Sequence, residues 1–241
     1  MARACAILCA RMETRRASLE TCATVTGAAV VIDVIRAFTT AAYAFAAGAR
    51  DIVLVSTVEE ALALRQQMPG ALAMGEVGGL PIEGFDFGNS PSAFLGLNLG
   101  GRRIIQRTTA GTQGVVRCRQ ADLLVASSLV CAAATARYLR RLEPQAITMV
   151  VTGIFPDRDG DEDVACADYL EALLCGPTQP DSRPFVERVR NSTAARLFTD
   201  SAQGMFPAAD VECCVAVDRF DFAMPIARRN GLLIMEPAFV R

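Results

Sequence analysis

A carboxylate, an arginine and two hydroxyls cluster at the end of the first long apolar run of the chain. Asp33 lies inside the run 29–35, and Arg36, Thr39 and Thr40 follow it. A carboxylate at the end of a buried strand is costly unless it is paired or binds a cation. We therefore expect Asp33 to be a metal ligand or a nucleophile, Arg36 to clamp an anion, and the two threonines to contact phosphate. The alternative is an Asp33–Arg36 ion pair that only ties a strand to the next helix.

A glycine-rich loop at 75–91 carries further candidate ligands. Its carboxylates include Glu76 and Asp86, whose oxygens are of the hard type that Mg²⁺ prefers. The segment Asn89-Ser90-Pro91 is typical of a cap and first turn of a helix, where backbone N–H groups bind phosphate. We therefore predict that Asn89 and Ser90 bind phosphate and that Glu76 and Asp86 bind metal. A plain surface loop is the alternative.

The segment 107–112 has the composition of a phosphate-binding turn. Arg107 ends an apolar run, and Thr108, Thr109, Gly111 and Thr112 follow it. Hydroxyls, a flexible glycine and the N–H groups of a helix start bind anions, and an arginine supplies a planar fork for phosphate or sulfonate. We predict that Arg107 is catalytic and that the other four residues bind phosphate, with a capped helix that has no ligand as the alternative.

The acidic run 157–163 resembles a calcium loop only superficially. Glu162 occupies the position where such a loop requires glycine, and we therefore reject an EF-hand. Most of these charges fit the N-terminal end of a helix dipole. Glu162 and Asp163 stay as candidate metal ligands.

A thiolate phosphatase is the other chemistry that the sequence suggests. The spacing of Cys, five residues and Arg occurs at Cys5–Arg11, Cys131–Arg137 and Cys213–Arg219. None of the three has a glycine-rich loop that would aim N–H groups at phosphate. We therefore do not assign a thiolate mechanism.

The composition narrows the remaining chemistry. The chain has 241 residues and is 52% hydrophobic, and its 24 basic residues are all arginine because lysine is absent, as are histidine and tryptophan. This excludes an imidazole base, a Schiff-base lysine and a P-loop lysine, so that protons must move through carboxylates, hydroxyls, thiols or water. A net charge of −2 makes nucleic acid an unexpected partner. The 9 cysteines, with no CxxC pair, predict reduced thiols in a cytoplasmic protein, and no uncharged stretch is long enough to span a membrane.

Apolar, β-branched runs alternate with helical patterns along the chain. This alternation predicts an α/β fold, a three-layer α/β/α arrangement whose sheet is mainly parallel or mixed, with ligands at the carboxyl ends of strands. We divide the chain into an unassigned N-terminal segment 1–27, a main core 28–175, and a part 176–241 that completes the core or forms a small second lobe. The predicted strands are 29–35, 52–55, 71–75, 103–107, 123–126, 147–152 and 231–237, and the predicted helices follow Thr57, Ser128 and Gly160 and cover 186–198.

Four segments together resemble the 2-phosphosulfolactate phosphatase family. They are Val-Ile-Asp-Val-Ile-Arg-Ala-Phe-Thr-Thr at 31–40, Gly-Phe-Asp-Phe-Gly-Asn-Ser-Pro at 84–91, Thr-Thr-Ala-Gly-Thr at 108–112 and Glu-Asp-Val-Ala-Cys-Ala at 162–167. The similarity runs from about residue 28 onward. Val77, Ala110 and Cys131 depart from the family pattern, which usually has arginine at the first position and asparagine at the other two.

The resemblance implies a Mg²⁺-dependent hydrolase that converts 2-phosphosulfolactate to sulfolactate and phosphate, a step of coenzyme M biosynthesis and of bacterial sulfolactate metabolism. The expected partner is thus a small anionic phosphorylated substrate, and a homodimer stays open. Two alternatives also stay open: a phosphatase for another small phosphorylated hydroxyacid, and a noncatalytic anion-binding homologue.

Overall fold

The strands of the protein form one large mixed sheet. A computed structural model describes residues 12–156, 158–176, 178–198 and 206–240. In these residues, eleven strands join the sheet and a separate hairpin is formed by β9 (Ile154–Phe155) and β10 (Arg158–Asp159). The sheet strands are β1 (Glu13–Ser18), β2 (Gly27–Ile32), β3 (Asp51–Leu54), β4 (Leu72–Val77), β5 (Leu80–Pro81), β6 (Arg103–Arg107), β7 (Ala121–Ser127), β8 (Ala146–Val151), β11 (Phe222–Arg229), β12 (Leu232–Met235) and β13 (Ala238–Phe239).

An antiparallel hairpin separates two groups of parallel strands. The order across the sheet is β1-β8-β2-β7-β11-β12-β3-β6-β4-β5, with β13 beside β11. The strands β1, β8, β2 and β7 are parallel to one another, and so are β3, β6 and β4. Three antiparallel pairings lie between β7 and β3, so the two groups run in opposite directions. In a flat sheet their carboxyl ends would therefore lie at opposite edges.

The carboxyl ends of the two groups nevertheless lie close together. A sheet this wide does not stay flat, because its strands twist relative to one another. Gln106 on β6 accordingly donates a hydrogen bond of 3.0 Å to the carbonyl of Ala37, just beyond the end of β2. The site described below lies at this meeting point.

Helices cover both faces of the sheet. Among the described residues they are α1 (Ala37–Ala46), α2 (Val58–Gln67), α3 (Gly111–Arg117), α4 (Ala132–Leu142), α5 (Asp161–Cys175), α6 (Arg183–Asn191), α7 (Thr193–Arg196) and α8 (Ala208–Cys214). The alanine-rich α1 is buried from Ala37 to Phe45 and shares one apolar cluster with strands of both parallel groups. Helices α4 and α5 pack on the other face of the β2 group, and α2 packs on the β3 group. The α/β class and its three layers are confirmed.

Local signals explain some helix ends and fail at others. The Thr57 hydroxyl accepts a hydrogen bond of 3.1 Å from the Glu60 backbone N–H, so the predicted cap of α2 is confirmed. The single helix predicted at 186–198 is wrong, because the chain breaks at Ser192, whose hydroxyl caps α7. Ser128 does not cap through its side chain, and a 3-10 turn at Leu129–Cys131 precedes α4. The sequence reasoning assigned no element to β1, α8 or β11.

The C-terminal strands occupy the middle of the sheet. Strands β11 and β12 join the two parallel groups, while β1, from the segment left unassigned, pairs with β8 at the edge. Within the described ranges, no helix combines the length and apolar character that crossing a membrane requires.

Candidate active site

Asp33 is held at the carboxyl end of β2 by backbone donors. Its side chain is buried, and one oxygen accepts a hydrogen bond of 2.9 Å from the Ala37 N–H at the start of α1. Burial raises the pKa of Asp33 to about 6, and the nearby Glu76 carboxylate adds to the rise, whereas the N–H groups of Ala37 and Gly111 oppose it. Asp33 is therefore a carboxyl group that titrates near neutral pH.

Two more carboxylates lie buried behind Asp33, in the first turn of α5. Asp163 accepts hydrogen bonds from the backbone N–H groups of Val34 at 2.8 Å, Thr152 at 3.0 Å and Gly153 at 2.8 Å, which ties α5 to the ends of β2 and β8. One oxygen of Glu162 has no hydrogen-bond partner. Burial raises the pKa of both groups, of Glu162 to about 7, and repulsion from Asp33 contributes in each case.

Glu76 connects the glycine-rich loop to the turn after β6. It accepts hydrogen bonds from the Gly79 N–H at 2.6 Å and from the backbone and hydroxyl of Thr109, the latter at 3.0 Å. These bonds fix the carboxyl end of β4 against the end of β6. Glu76 is thus brought beside Asp33, although the two lie in opposite strand groups.

A cavity of about 180 Å³ opens over Asp33 and Glu76. Its wall combines carboxylates, arginines and small loop residues, namely Asp33, Ile35, Arg36, Glu76, Gly78, Gly79, Asn89, Thr109, Ala110, Phe155 and Arg158. Chain segments from five loops therefore meet here. Asn89 is buried and its side-chain carbonyl oxygen has no partner, so the cavity contains an unused polar group.

Arg36 lines this cavity but does not pair with Asp33. It donates to Asp210 at 2.8 Å and to the Gly79 carbonyl at 3.2 Å, and its guanidinium lies 4.9 Å from the Phe198 ring centre and 5.3 Å from that of Phe206. The alternative of a structural ion pair between Asp33 and Arg36 is therefore wrong, because Arg36 pairs with Asp210 instead. Sequence reasoning missed Asp210, because nothing in the short helix α8 distinguishes it from the second acid there, Glu212.

Ser90 faces Asp210 instead of the cavity. Its hydroxyl lies 2.7 Å from Asp210, which also accepts from the hydroxyl of Ser92 at 2.6 Å and from its N–H at 3.1 Å. The helix predicted at Asn89-Ser90-Pro91 is wrong, because Pro91–Phe94 forms only a 3-10 turn. Of the two predicted phosphate-binding residues Asn89 and Ser90, only Asn89 lines the cavity.

The turn at 107–112 uses most of its polar groups internally. Arg107 donates to the carbonyls of Glu76 at 2.7 Å and Ser56 at 3.4 Å, and it is not among the cavity residues. Thr108 and Thr112 are buried and exchange hydrogen bonds between backbone and hydroxyl. Gly111 packs against Asp33: a Cβ on it would lie 2.8 Å from a carboxylate oxygen. Thr109 is the predicted contact that lines the cavity.

Three other predicted site residues lie away from the cavity. Thr39 donates to the Val34 carbonyl at 2.8 Å, and both Thr39 and Thr40 are fully buried in α1. Asp86 forms an ion pair of 2.8 Å with Arg65 and accepts from the Ala73 N–H at 2.8 Å. Because these bonds hold Asp86 at the outer side of β4, the structure does not bring it to Asp33 as the loop spacing suggested.

Neither of the two cysteine–arginine spacing matches within the described residues holds a reactive thiolate. Burial raises the pKa of Cys131 and of Cys213, which begin these two matches. The Cys5–Arg11 match lies outside the described residues. The rejection of a thiolate mechanism therefore rests on unfavourable burial at these two positions.

The carboxylates suit a hard divalent cation. Over the described ranges, no three His, Cys, Asp or Glu side chains form a ready-made metal cluster. Mg²⁺ needs only one or two carboxylates, since water and substrate oxygens complete its shell. Glu162 retains an unpartnered oxygen, and Asp33 and Glu162 repel each other. The donor set of Asp33 and Glu162 therefore fits such an ion, whereas the oxygens of Asp163 already accept three backbone N–H groups.

The chain matches one protein family over most of its length. The sequence model of the 2-phosphosulpholactate phosphatase family matches residues 14–228. A protein of Bacillus subtilis (strain 168), named probable 2-phosphosulfolactate phosphatase, is 35% identical over 211 residues, which cover 88% of this chain and 92% of that protein.

Two further relatives carry the same name. That of Carboxydothermus hydrogenoformans is 36% identical over 218 residues, 87% of this chain and 90% of that protein. That of Deinococcus radiodurans is 43% identical over 150 residues, 60% of this chain and 62% of that protein. The match over residues 14–228 and these relatives show that the chain belongs to the 2-phosphosulfolactate phosphatase family.

Proposed function

We propose that the protein is a Mg²⁺-dependent phosphomonoesterase that hydrolyses 2-phosphosulfolactate to sulfolactate and phosphate. The observation that carries the proposal is the cavity over Asp33, where two buried carboxylates, Asp33 with its raised pKa and Glu76, meet two arginines. The name of the relatives supports the substrate, and the cluster of hard oxygen donors supports the cation.

The chain's own groups account for binding and for proton movement. Asn89, whose side-chain oxygen is an unused acceptor, and Thr109 line the cavity in which the substrate would bind. Asp33, with a pKa raised to about 6, is a base that can take a proton from water and return it to the leaving alkoxide. A bound Mg²⁺ would polarise the phosphoryl group and offset the negative charge that gathers on its oxygens. Asp33 and Glu162 would hold that ion.

Two routes fit Asp33. In one, a water oxygen attacks phosphorus as the bond between phosphorus and the ester oxygen breaks, and Asp33 accepts the proton of that water. In the other, an Asp33 oxygen attacks first and forms an acyl phosphate, which water then hydrolyses. A quench during turnover of substrate with a ³²P-labelled phosphate separates the routes, since only the second leaves a labelled acyl phosphate on Asp33.

The test of the proposal is phosphate release from 2-phosphosulfolactate with Mg²⁺ and with EDTA. We expect turnover with Mg²⁺ only, and a loss of at least about 1,000-fold in Asp33→Asn, because the variant loses both a ligand and a base. Asp86→Asn is the matched control, since Asp86 lies outside the cavity. Tight binding of the substrate without release would instead indicate a noncatalytic anion-binding protein, and faster release from 2-phospholactate or phosphoglycolate would change the substrate.

A further inference from the structure

Arg158 is the cavity arginine that no protein group occupies. It lies on β10 in the short hairpin that precedes α5, and in the described part of the chain its guanidinium forms no hydrogen bond or ion pair. Arg36, the other arginine of the cavity, already donates to Asp210 and to the Gly79 carbonyl. An anion that enters the cavity therefore finds in Arg158 a planar fork whose donors are unused.

The hairpin holds Arg158 in place without using its charge. Phe155 is its direct cross-strand neighbour, and the guanidinium lies 5.9 Å from the centre of that ring. The next residue, Asp159, accepts hydrogen bonds from the Thr193 hydroxyl at 3.1 Å and from the Asp161 N–H at 3.2 Å. The backbone of β10 is thus anchored to α5 and α7, while the side chain of Arg158 faces the cavity.

The position of Arg158 separates it from the carboxylates. Arg158, Arg36 and Asn89 line both the inner cavity and an adjoining cavity of about 310 Å³, whereas Asp33 and Glu76 line the inner one alone. A phosphate bound beside Asp33 therefore leaves Arg158 facing the far end of the substrate. In 2-phosphosulfolactate that end is the sulfonate, which is carried on a methylene one carbon beyond the phosphate-bearing carbon.

We propose that Arg158 binds the sulfonate of the substrate and thereby selects sulfonated phosphoesters over other phosphorylated hydroxyacids. This inference rests on the proposed phosphatase function. A sulfonate has three oxygens in a pyramid, two of which can accept the parallel N–H groups of a guanidinium. The carboxylate is attached directly to the phosphate-bearing carbon, so it extends less far from the phosphate than the sulfonate does.

The experiment compares three substrates with Arg158→Ala. They are 2-phosphosulfolactate, 2-phospholactate, which lacks the sulfonate, and 2-phosphooxyethanesulfonate, which lacks the carboxylate. We expect kcat/KM to fall by about 10- to 100-fold for the two sulfonates, mainly through KM, and by less than about 3-fold for 2-phospholactate. Arg158→Lys, which keeps the charge but not the fork, should fall between. Arg141→Ala, an exposed arginine of α4, is the matched control and should leave all three unchanged.

Three results would overturn the inference. An equal loss for all three substrates would mean that Arg158 contacts the phosphate or only supports the fold, and a loss confined to the carboxylate-bearing substrates would assign it to the carboxylate. No loss for any substrate would leave it without a role. Thermal unfolding of the variant should be close to that of the wild type, because among the described residues Arg158 has no hydrogen bond or ion pair to lose, only its contact with the Phe155 ring.

Binding of sulfolactate, measured by calorimetry, keeps this test separate from that of the proposed function. If the wild type releases no phosphate from any substrate, the proposed hydrolysis fails. In that case a Kd for sulfolactate that is about 10-fold weaker in Arg158→Ala than in the wild type still supports the sulfonate contact, and an unchanged Kd, or no binding, refutes it.

Discussion

The buried pair of Arg36 and Asp210 offers a sharp test of how the cavity wall is held. The two side chains are 6% and 0% exposed and 2.8 Å apart. Removing one partner of such a pair leaves an uncompensated charge and costs about 3–5 kcal/mol. Asp210→Ala also removes the acceptor of the Ser90 and Ser92 hydroxyls. For a chain of this size, we expect the Tm to fall by about 6–10 °C.

Urea unfolding at fixed pH and Mg²⁺ concentration measures this loss as a shift of the midpoint at constant m-value. The double variant Arg36→Met and Asp210→Leu should recover the part of the loss that comes from the unpaired charge, but not the part that comes from the Ser90 and Ser92 hydroxyls. Asp221→Ala is the control: that carboxylate is 91% exposed and pairs with Arg137 at 3.3 Å, so its loss should cost less than about 0.5 kcal/mol. A cost below about 1 kcal/mol for Asp210→Ala, or a double variant no more stable than the single one, would refute the reasoning.

Three further predictions concern the buried carboxylates Asp33 and Glu162, the close packing of Gly75, and Asp86, which lies outside the cavity. In EDTA, the free energy of unfolding should fall as pH rises from about 4 to about 7. Burial raises the pKa of Asp33 to about 6 and of Glu162 to about 7, above unfolded values near 4, so the folded chain binds these protons more tightly than the unfolded chain does. Urea titrations across this pH range measure the slope, and a rise in stability with pH would contradict the prediction. Gly75→Ala should lower stability by more than about 3 kcal/mol in circular dichroism melts, because its Cβ would lie 1.8 Å from the Arg107 carbonyl oxygen. The control Gly70→Ala should cost about 1 kcal/mol, because Gly70 has a positive φ but open space around it. Equal costs for the two variants would be inconsistent with the steric argument. Asp86→Asn should keep phosphate release within about 2-fold of the wild type, since Asp86 bonds to Arg65 outside the cavity, and a loss as large as that of Asp33→Asn would return Asp86 to the site.

The parts of the fold that sequence predicts are those with a local signal. Buried strands such as β2 and β8 are rich in apolar, β-branched residues, and the Thr57 cap depends on residues only three positions apart. The strand β1 carries Glu13, Arg15 and Arg16, whose polar character hides an edge strand. Its place is determined by pairing with β8, more than a hundred residues away, which no local pattern reveals.

The site divides in the same way. Asp33, Asn89 and Thr109 follow strands or lie in loops beyond them, Glu76 lies near the end of β4, and all four line the cavity. Hydroxyls of the 107–112 turn were misjudged because a threonine bonds to its neighbouring backbone as readily as to a ligand, as Thr108 and Thr112 do. Asp210 could not be found from the sequence, since its importance depends on a contact with Arg36 across 174 positions.

Because β11 and β12 lie between the two parallel groups, the sheet cannot be completed until this C-terminal part of the chain has been synthesised. Until these strands pair, β7 and β3 each expose an open edge of the kind that recruits other chains. Ribosomal synthesis adds only about 5–20 residues per second, so this exposure lasts for seconds while the intervening segments emerge. A nascent chain in which both parallel groups have formed therefore still needs the β11–β12 hairpin to align them. We expect truncation before Phe222 to yield insoluble protein instead of a weakened enzyme.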